Sequence, residues 1–279
     1  MSRQTSFYFG RFNVLAVGED KKEVLARGLQ TEDFYESRNQ RWGFFSVGRQ
    51  ESDLGDFLVG YLAKFKTVDE AEVAQLSTHS IEVESIENRI VAKSLFCLHM
   101  TTGLIAFHPV AGFISVSTFR DVFAKLFEKG LSNFFIDAEI SMIDDRVEFF
   151  KVVKSFERIL TIKIKLHPSN PHSGRMWKNV DELLKAREAT TYTEEMRNDK
   201  PGGSLCIAED EDINSKFMMA HDGYGAAAVT GSVANSTRTI RTNQNPITAL
   251  VRGLRPDIDT VLEHLIKTFD RVMTRINEP

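Results

Sequence analysis

One strand limits the possible folds of this chain more than any other segment. Positions 160–166 read LTIKIKL, in which apolar and polar residues alternate. Successive side chains of a strand point to opposite faces, so Ile162 and Ile164 share a dry face while Lys163 and Lys165 share a wet one. A half-buried strand of this kind is typical of an antiparallel or mixed sheet whose helices pack on one side.

Further elements surround this strand. Pro168 and Pro171 follow it and cannot donate to a neighbouring strand, so the chain leaves the sheet there. Earlier strands are predicted in SFYFGRFNVLAV and in two hairpins, one around QESDL and one around TTG. The apolar spacing in SVSTFRDVFAKLFEKG predicts a helix. Together these elements predict an α+β fold: an antiparallel or mixed sheet with helices packed on one side, plus a C-terminal amphipathic helix.

The prolines and the change in composition after them divide the chain into three predicted segments. Residues 1–168 form an α+β sheet domain, and residues 169–222 form a helical segment. Residues 223–279 contain a polar hairpin or arm followed by the C-terminal helix. We expect this third segment to pack back on the first domain.

The last helix has a wide apolar face. Nine apolar residues between Ile258 and Ile276 recur at helical spacing and form one stripe. Two interpretations of this stripe are open. It packs on the sheet of its own chain, or it forms the interface of a homodimer through Leu262, Ile266 and Phe269.

Composition and charge exclude several classes of protein. The net charge is −4, so binding to nucleic acid requires a local cationic patch instead of overall charge. Two cysteines are too few for a four-cysteine zinc site or a disulfide framework. No apolar run is long enough to span a bilayer. We therefore expect a cytoplasmic protein with reduced thiols, no cofactor and no membrane insertion.

Two groups of cations supply such a patch. Lys163 and Lys165, followed by His167, form a row on the wet face of the alternating strand. Residues 224–255 combine Ser, Thr, Asn and Gln with arginines and contain no acidic residue. Guanidinium, ammonium, hydroxyl and amide groups are the donors that bind phosphate oxygens. One interpretation is therefore a non-specific DNA site formed by Lys163, Lys165, Arg238, Arg241, Arg252 and Arg255; the other is a solvated loop beside an ordinary strand face.

Asp137 and Glu139 suggest a different chemistry. They lie two residues apart in the predicted strand NFFIDAEISMID and share one face, where two carboxylates could hold Mg²⁺ for phosphodiester cleavage. The usual nuclease arrangement also has a lysine two residues further on, where this chain has Ser141. The chain also lacks the Walker phosphate loop and the HExxH pattern. The alternative to a metal-dependent nuclease is a pair of solvated carboxylates.

The central part of the chain carries a family resemblance. Within SLFCLHMTTGLIAFHPVAGFISVSTFRDVFAKLFEKG, a strand ending in F-x-P precedes a helix of the type S-x-x-x-F-x-x-x-F. DAEISMIDDRVEFFKVVKSFERILTIKIKLHPSNP then adds a strand, a short helix and a strand ending in a P-x-N-P motif. This order resembles a family of uncharacterised bacterial and phage proteins. With the C-terminal helix included, it is also similar to the Rex-type phage exclusion proteins.

The resemblance implies a non-enzymatic protein that binds DNA irrespective of sequence and acts in anti-phage defence or phage exclusion. It also implies a homodimer. The partners it implies are DNA and, as a further candidate, a second defence-system protein. Three functions are thus open from the sequence: DNA binding by the cations, cleavage by Asp137 and Glu139, and a protein-interaction module built on the C-terminal helix.

Overall fold

The computed structural model describes residues 4–15, 20–37, 40–132, 136–169, 174–207, 210–234, 236–252 and 257–275. No described helix is both long and apolar enough to cross a membrane. In chain order the elements are β1 (Gln4–Leu15), α1 (Lys21–Leu29), β2 (Tyr35–Ser37), β3 (Gln40–Ser52), β4 (Gly55–Gln75), β5 (Ser80–His99), β6 (Leu104–Phe107), α2 (Val116–Leu131), β7 (Asp137–Met142), α3 (Arg146–Ser155), β8 (Arg158–Leu166), a 3-10 turn (Arg175–Trp177), α4 (Lys178–Ala186), β9 (Tyr192–Arg197), α5 (Glu211–His221), β10 (Gly225–Val233), β11 (Ser236–Arg241), β12 (Thr248–Arg252) and α6 (Val261–Arg275).

Two antiparallel sheets form the framework. The large sheet has eight strands, seven of them in the order β12-β1-β6-β5-β4-β3-β2, with β7 paired to the second half of β1. The small sheet has four strands in the order β11-β10-β8-β9. Strands make up 46% of the structure and helices 29%. The predicted α+β class, with one sheet and helices on one side, is therefore wrong, although the C-terminal helix is present as α6.

Apolar side chains cover both faces of the large sheet. Phe9 and Phe12 of β1 are three residues apart and therefore point to opposite faces. On one face, Phe12 meets Phe127 of α2 edge to face, with 4.8 Å between ring centroids. On the other face, Phe9 meets Phe269 of α6 at 5.1 Å. The prediction of helices on a single side is wrong because β1 carries large aromatic residues in both registers.

The C-terminal helix uses its apolar stripe within its own chain. Leu262 is 5% exposed and Phe269 is fully buried in the core beneath the large sheet, while Ile266 packs partly buried against that core. Their burial favours the first of the two interpretations of this helix. It also leaves Leu262 and Phe269 without surface for a second copy, so a homodimer would have to form elsewhere.

The small sheet is covered on one face only. Helices α3, α4 and α5 share a core with Ile162 and Ile164 of β8, which are buried, whereas Lys163 and Lys165 are exposed. The alternation predicted for this strand is thus confirmed from Ile162 to Leu166. In the part of β8 that precedes Ile162, a register shift between β8 and β10 buries Ile159 in place of Leu160.

The small sheet draws its strands from all three predicted segments. β8 ends segment 1–168, β9 lies within segment 169–222, and β10 and β11 lie within segment 223–279. The helix predicted across residues 192–197 is a strand instead, because Tyr192–Arg197 pairs with β8 from Leu166 back to Thr161. Pairing with a distant strand outweighs the helix preference of Glu, Met and Arg there.

A cluster of buried polar groups, which we call the arginine hub, joins the two sheets. It consists of Arg11 of β1, Arg146 of α3 and Arg275 of α6 around Asp222 at the end of α5. Arg146 Nη2 and Arg275 Nη2 donate to Asp222 Oδ1 at 2.6 and 3.1 Å, and Arg11 Nε donates to the Asp222 carbonyl oxygen at 2.8 Å. Trp177 Nε1 donates to Asp222 Oδ2 at 2.8 Å. Asp222 therefore connects groups from four helical elements with Arg11 of β1 in the large sheet.

Candidate nucleic-acid interface

No described helix packs on one face of the small sheet. The three neighbouring helices pack on the Ile162 side, so alternate residues of each strand point outward and are exposed or half-buried. We call this surface the open face. Its residues are Thr193, Glu195 and Arg197 of β9, Thr161, Lys163 and Lys165 of β8, Ala226, Ala228 and Thr230 of β10, and Thr239 and Arg241 of β11.

Strand register brings cations from distant parts of the chain onto the open face. Lys163 of β8 lies opposite Ala228 of β10, which in turn lies opposite Arg241 of β11. Directly opposite residues of antiparallel strands project to the same face, so Lys163 and Arg241 stand two strand spacings apart, about 10 Å. Lys165 follows on β8. Arg197 of β9 lies opposite Thr161 and completes a set of four cations.

The other predicted cations are not part of this set. Arg238 is exposed but precedes Arg241 by three residues on the same strand, so it points to the opposite face of the sheet. Arg252 belongs to β12, opposite Gln4 at the edge of the large sheet. Arg255 lies outside the described residues. The structure thus brings together three of the six predicted cations and adds Arg197, which the helix predicted for residues 192–197 concealed.

Carboxylates pair with three of the four cations. Lys163 Nζ lies 3.1 Å from Glu195 Oε1, which also lies 3.3 Å from Arg197 Nη2, and Lys165 Nζ lies 3.3 Å from Glu139 Oε2. These cationic side chains are all more than half exposed. Exposed ion pairs contribute only about 0–1 kcal/mol, so a phosphate can replace the carboxylate at little cost. The fourth cation of the open face has no ion pair within the described residues.

Glu139 closes one end of the open face. Its Oε1 accepts a hydrogen bond from Ser141 Oγ at 2.8 Å and lies 3.3 Å from His167 Nε2. His167, predicted on the wet face of β8, is instead buried, and its Nδ1 donates to the Thr190 carbonyl oxygen at 3.1 Å. The His167 ring beside it is the largest influence on Glu139 and, helped by Ser141 and Lys165, lowers its carboxyl pKa to about 2. Glu139 therefore acts as an internal counter-ion.

The carboxylate pair predicted for metal-dependent cleavage gains no further ligand. Asp137 and Glu139 both belong to β7 and lie on the same side of it, but Asp137 is exposed while Glu139 is turned to Lys165 and His167. Among the residues that the structure describes, no group of three or more His, Cys, Asp or Glu side chains could hold a metal ion. Glu139 is thus paired with Lys165 and His167 and not with Asp137, and the nuclease hypothesis stays a prediction.

The open face presents no aromatic side chain among its described residues. Its central strand carries Ala226, Ala228 and Thr230, and the neighbouring ring of Tyr192 lies on the helix side of the sheet. Sheets that bind single strands stack bases on exposed aromatic rings. Ammonium, guanidinium and hydroxyl groups without such rings suit contacts to the phosphate backbone.

Comparison with known families covers almost the whole chain. The model of a family described as a domain of unknown function, DUF4747, matches residues 5–264, which include both sheets, all strands of the open face and the start of α6. No curated protein matches the chain.

Proposed function

Because the chain belongs to the DUF4747 family, whose description assigns no activity, we propose a function from geometry: the open face binds the phosphate backbone of duplex DNA without reading its sequence. The supporting observation is the convergence of Lys163, Lys165, Arg197 and Arg241 on one uncovered face of the small sheet.

The dimensions of the open face fit a duplex. Arg197 and Arg241 lie on the two outer strands, three strand spacings of about 4.8 Å apart, so the face is about 14 Å wide. That width is close to the roughly 12 Å of the major groove of B-DNA, which lets cations on either side reach phosphates that flank one groove. Thr161, Thr230 and Thr239 add hydroxyl groups to this face, and those of Thr230 and Thr239 share one hydrogen bond of 2.9 Å.

The proposed contacts carry no sequence information. Side chains that bind phosphates set the position of a protein on DNA, whereas specificity comes from base edges and DNA shape. Such binding takes its free energy from counterion release, so it weakens steeply as salt rises. With about four phosphates neutralised, the logarithm of affinity should fall with the logarithm of salt concentration with a slope of about −3.6.

Strand β11 offers a matched pair of variants for the test. Arg241 and Arg238 are both exposed, three residues apart, and point to opposite faces. Fluorescence polarisation with a labelled duplex at several salt concentrations should show that Arg241→Ala weakens binding and makes the salt slope shallower by about 0.9. Arg238→Ala should match the wild type. Two duplexes of unrelated sequence should bind equally.

Three results would contradict the proposal. They are equal losses in Arg241→Ala and Arg238→Ala, a preference for one duplex sequence, and no binding by the wild type at low salt. Incubation with plasmid and Mg²⁺ separates the nuclease hypothesis, because cleavage that disappears in Asp137→Ala would favour it instead.

The biological setting that we propose is phage exclusion in the cytoplasm. The support for it is the resemblance of the central segments and the C-terminal helix to Rex-type phage exclusion proteins. Plating phage on cells that produce the chain should show reduced plaque numbers. The double variant Lys163→Ala with Arg241→Ala should restore them, while Arg238→Ala should protect as the wild type does.

A further inference from the structure

Strands β4 and β5 extend well beyond the large sheet. β3 accompanies β4 only as far as Phe65, and β6 pairs with β5 only from Phe96 to Leu98. Between these limits the two strands pair only with each other, within the described residues, and a turn at 76–79 joins them. We call residues 66–89 the ribbon. About ten residues in each strand make it roughly 33 Å long.

The ribbon is a two-stranded structure on which no described helix or third strand packs. Both of its outer edges carry backbone groups that no described strand pairs with. A two-stranded hairpin alone is at best marginally stable in water, and free strand edges tend to pair with other chains. The ribbon therefore has the properties of a segment that docks on another surface.

One face of the ribbon carries apolar side chains together with Glu70, Glu72 and Glu87. Val68, Ala74, Ile81 and Val83 project to the same side, because the register pairs Ala74 with Ile81 and keeps an unbroken alternation. Val68, Ile81 and Val83 are 61%, 73% and 64% exposed. Exposed apolar residues clustered on one surface are characteristic of an interaction site.

The ribbon is also strongly acidic. Its acidic residues are Asp69, Glu70, Glu72, Glu82, Glu84 and Glu87, against Lys66 and Arg89 at its base. Both basic residues bind Asp69, at 2.7 and 2.9 Å. None of the five glutamates has an ion pair within the described part of the chain. Like charges that lie opposite one another destabilise a contact, so a cationic surface suits the ribbon better than a second ribbon does.

We infer that the ribbon of one copy packs on the open face of a second copy, reciprocally, to form a two-fold symmetric dimer. Charge complementarity supports this choice: the open face carries four cations against the two carboxylates of Glu195 and Glu139, and docking would place the ribbon glutamates opposite this positive surface. The small side chains of Ala226 and Ala228 leave space at the centre of the open face for Val and Ile from the ribbon.

The dimensions agree with this arrangement. β8 has nine residues and is about 30 Å long, close to the length of the ribbon, and two sheets pack face to face at about 10 Å. Reciprocal docking also places the dimer contact away from Leu262 and Phe269, whose side chains are buried within the monomer.

Docking has a consequence for the proposed function. The ribbon of the second copy would cover the same cations that we propose bind phosphate, so the dimer and the DNA complex exclude each other. The docking itself does not depend on the proposed function, but this competition rests on it.

Charge exchange tests the docking. Sedimentation equilibrium of the full chain should give a dimer for the wild type. Two double variants should give a monomer: Glu70→Lys with Glu72→Lys on the ribbon, and Lys163→Glu with Arg241→Glu on the open face. An equimolar mixture of the two variants should restore the dimer, because each ribbon then meets an open face of opposite charge. Glu148→Lys with Glu182→Lys, on exposed positions of α3 and α4, is the matched control and should remain a dimer.

A wild type that stays monomeric at all concentrations overturns the inference and leaves the ribbon for a different partner. Variants that keep the mass of the wild type, or a mixture that remains monomeric, overturn it equally. Each result concerns mass alone and is read without DNA.

A DNA measurement then separates this inference from the proposed function. A triple variant, Glu70→Gln with Glu72→Gln and Glu87→Gln, should bind duplex DNA several-fold more tightly than the wild type. The comparison is made at protein concentrations where the wild type is a dimer, because its ribbons then cover the open faces. Unchanged affinity overturns the competition. If ribbon variants change the mass but Lys163→Glu with Arg241→Glu binds DNA as the wild type does, the proposed function fails and the docking stands. If Lys163→Glu with Arg241→Glu loses DNA binding but keeps the mass of the wild type, the docking fails and the proposed function stands.

Discussion

The arginine hub and the open face use the same kind of side chain in opposite ways. In the hub, Asp222 is almost fully buried and each arginine donates to a carboxylate or carbonyl oxygen. On the open face Lys163, Lys165 and Arg197 are more than half exposed, and their carboxylate partners are more than a third exposed. A buried charge must be neutralised within the fold, whereas an exposed pair contributes little. The solvent exposure of a cationic side chain, and not the number of cations, therefore decides whether it can bind a ligand.

The largest expected effect is the loss of folding stability when Asp222 of the arginine hub is replaced. Asp222→Ala removes the carboxylate shared by Arg146 and Arg275 and the acceptor for Trp177. Losing one partner of a buried ion pair costs about 3–5 kcal/mol because the other charge stays buried and unpaired. Urea unfolding should therefore show a loss of about that size. Arg241→Ala on the open face should cost less than about 0.5 kcal/mol. Similar losses in the two variants would break the comparison.

A smaller effect concerns the response of the hub to acid. His221 is fully buried, and neither of its ring nitrogens has a hydrogen-bond partner in the described part of the chain. Burial, assisted by the charge of Arg275, lowers its pKa to about 3. The unfolded chain, with a His pKa near 6.5, takes up this proton first, so stability falls as the pH drops from about 6.5 towards 3. His221→Phe should remove that loss, on the order of 3 kcal/mol at pH 4.

The measurement is the free energy of unfolding of both proteins at several pH values between 7.5 and 4. Asp144, whose pKa burial raises to about 6, acts in the opposite direction in both proteins, so the difference between the two curves isolates His221. Parallel curves would contradict the prediction.

The smallest effect lies at the edge of the open face. Glu139 has its pKa lowered to about 2, chiefly by His167, so it stabilises the fold above about pH 4.5 and this contribution disappears as the pH falls towards 2. Its side chain is more than a third exposed, so solvent limits the effect to below about 1 kcal/mol. Glu139→Gln should be less stable than the wild type at pH 6 and equal to it near pH 2. A difference that persists at low pH would show a cause other than charge.

Local periodicity predicted the individual elements better than their assembly. Helix α2 and the alternation from Ile162 to Leu166 are confirmed, because each depends on spacing within one segment. The number of sheets and the helices on both faces of the large sheet depend on pairing between distant strands, which periodicity does not report. Residues 192–197 show the conflict directly, since a sequence rich in helix-forming residues pairs with β8 as a strand.

The residues of the candidate site were likewise predictable only where spacing within one segment determines their position. Lys163 and Lys165 follow from the alternation of β8 alone. Arg241 could be separated from Arg238 only by accepting residues 236–241 as a strand, because residues three apart then point to opposite faces. Arg197 was out of reach, since it joins the open face through the register of β9 against β8.

Lysine footprinting on the wild-type protein tests the central claim most directly. Lys163 and Lys165 lie on the open face, while Lys151 of α3 and Lys178 of α4 are at least as exposed but belong to the helices on the other side of the small sheet. Acetylation followed by mass spectrometry, with and without a long duplex at low salt and at protein concentrations too low for dimer formation, measures the reactivity of each. If the open face binds DNA, the duplex protects Lys163 and Lys165 and leaves Lys151 and Lys178 reactive. Protection of Lys151 and Lys178 with no change at Lys163 and Lys165 would contradict it.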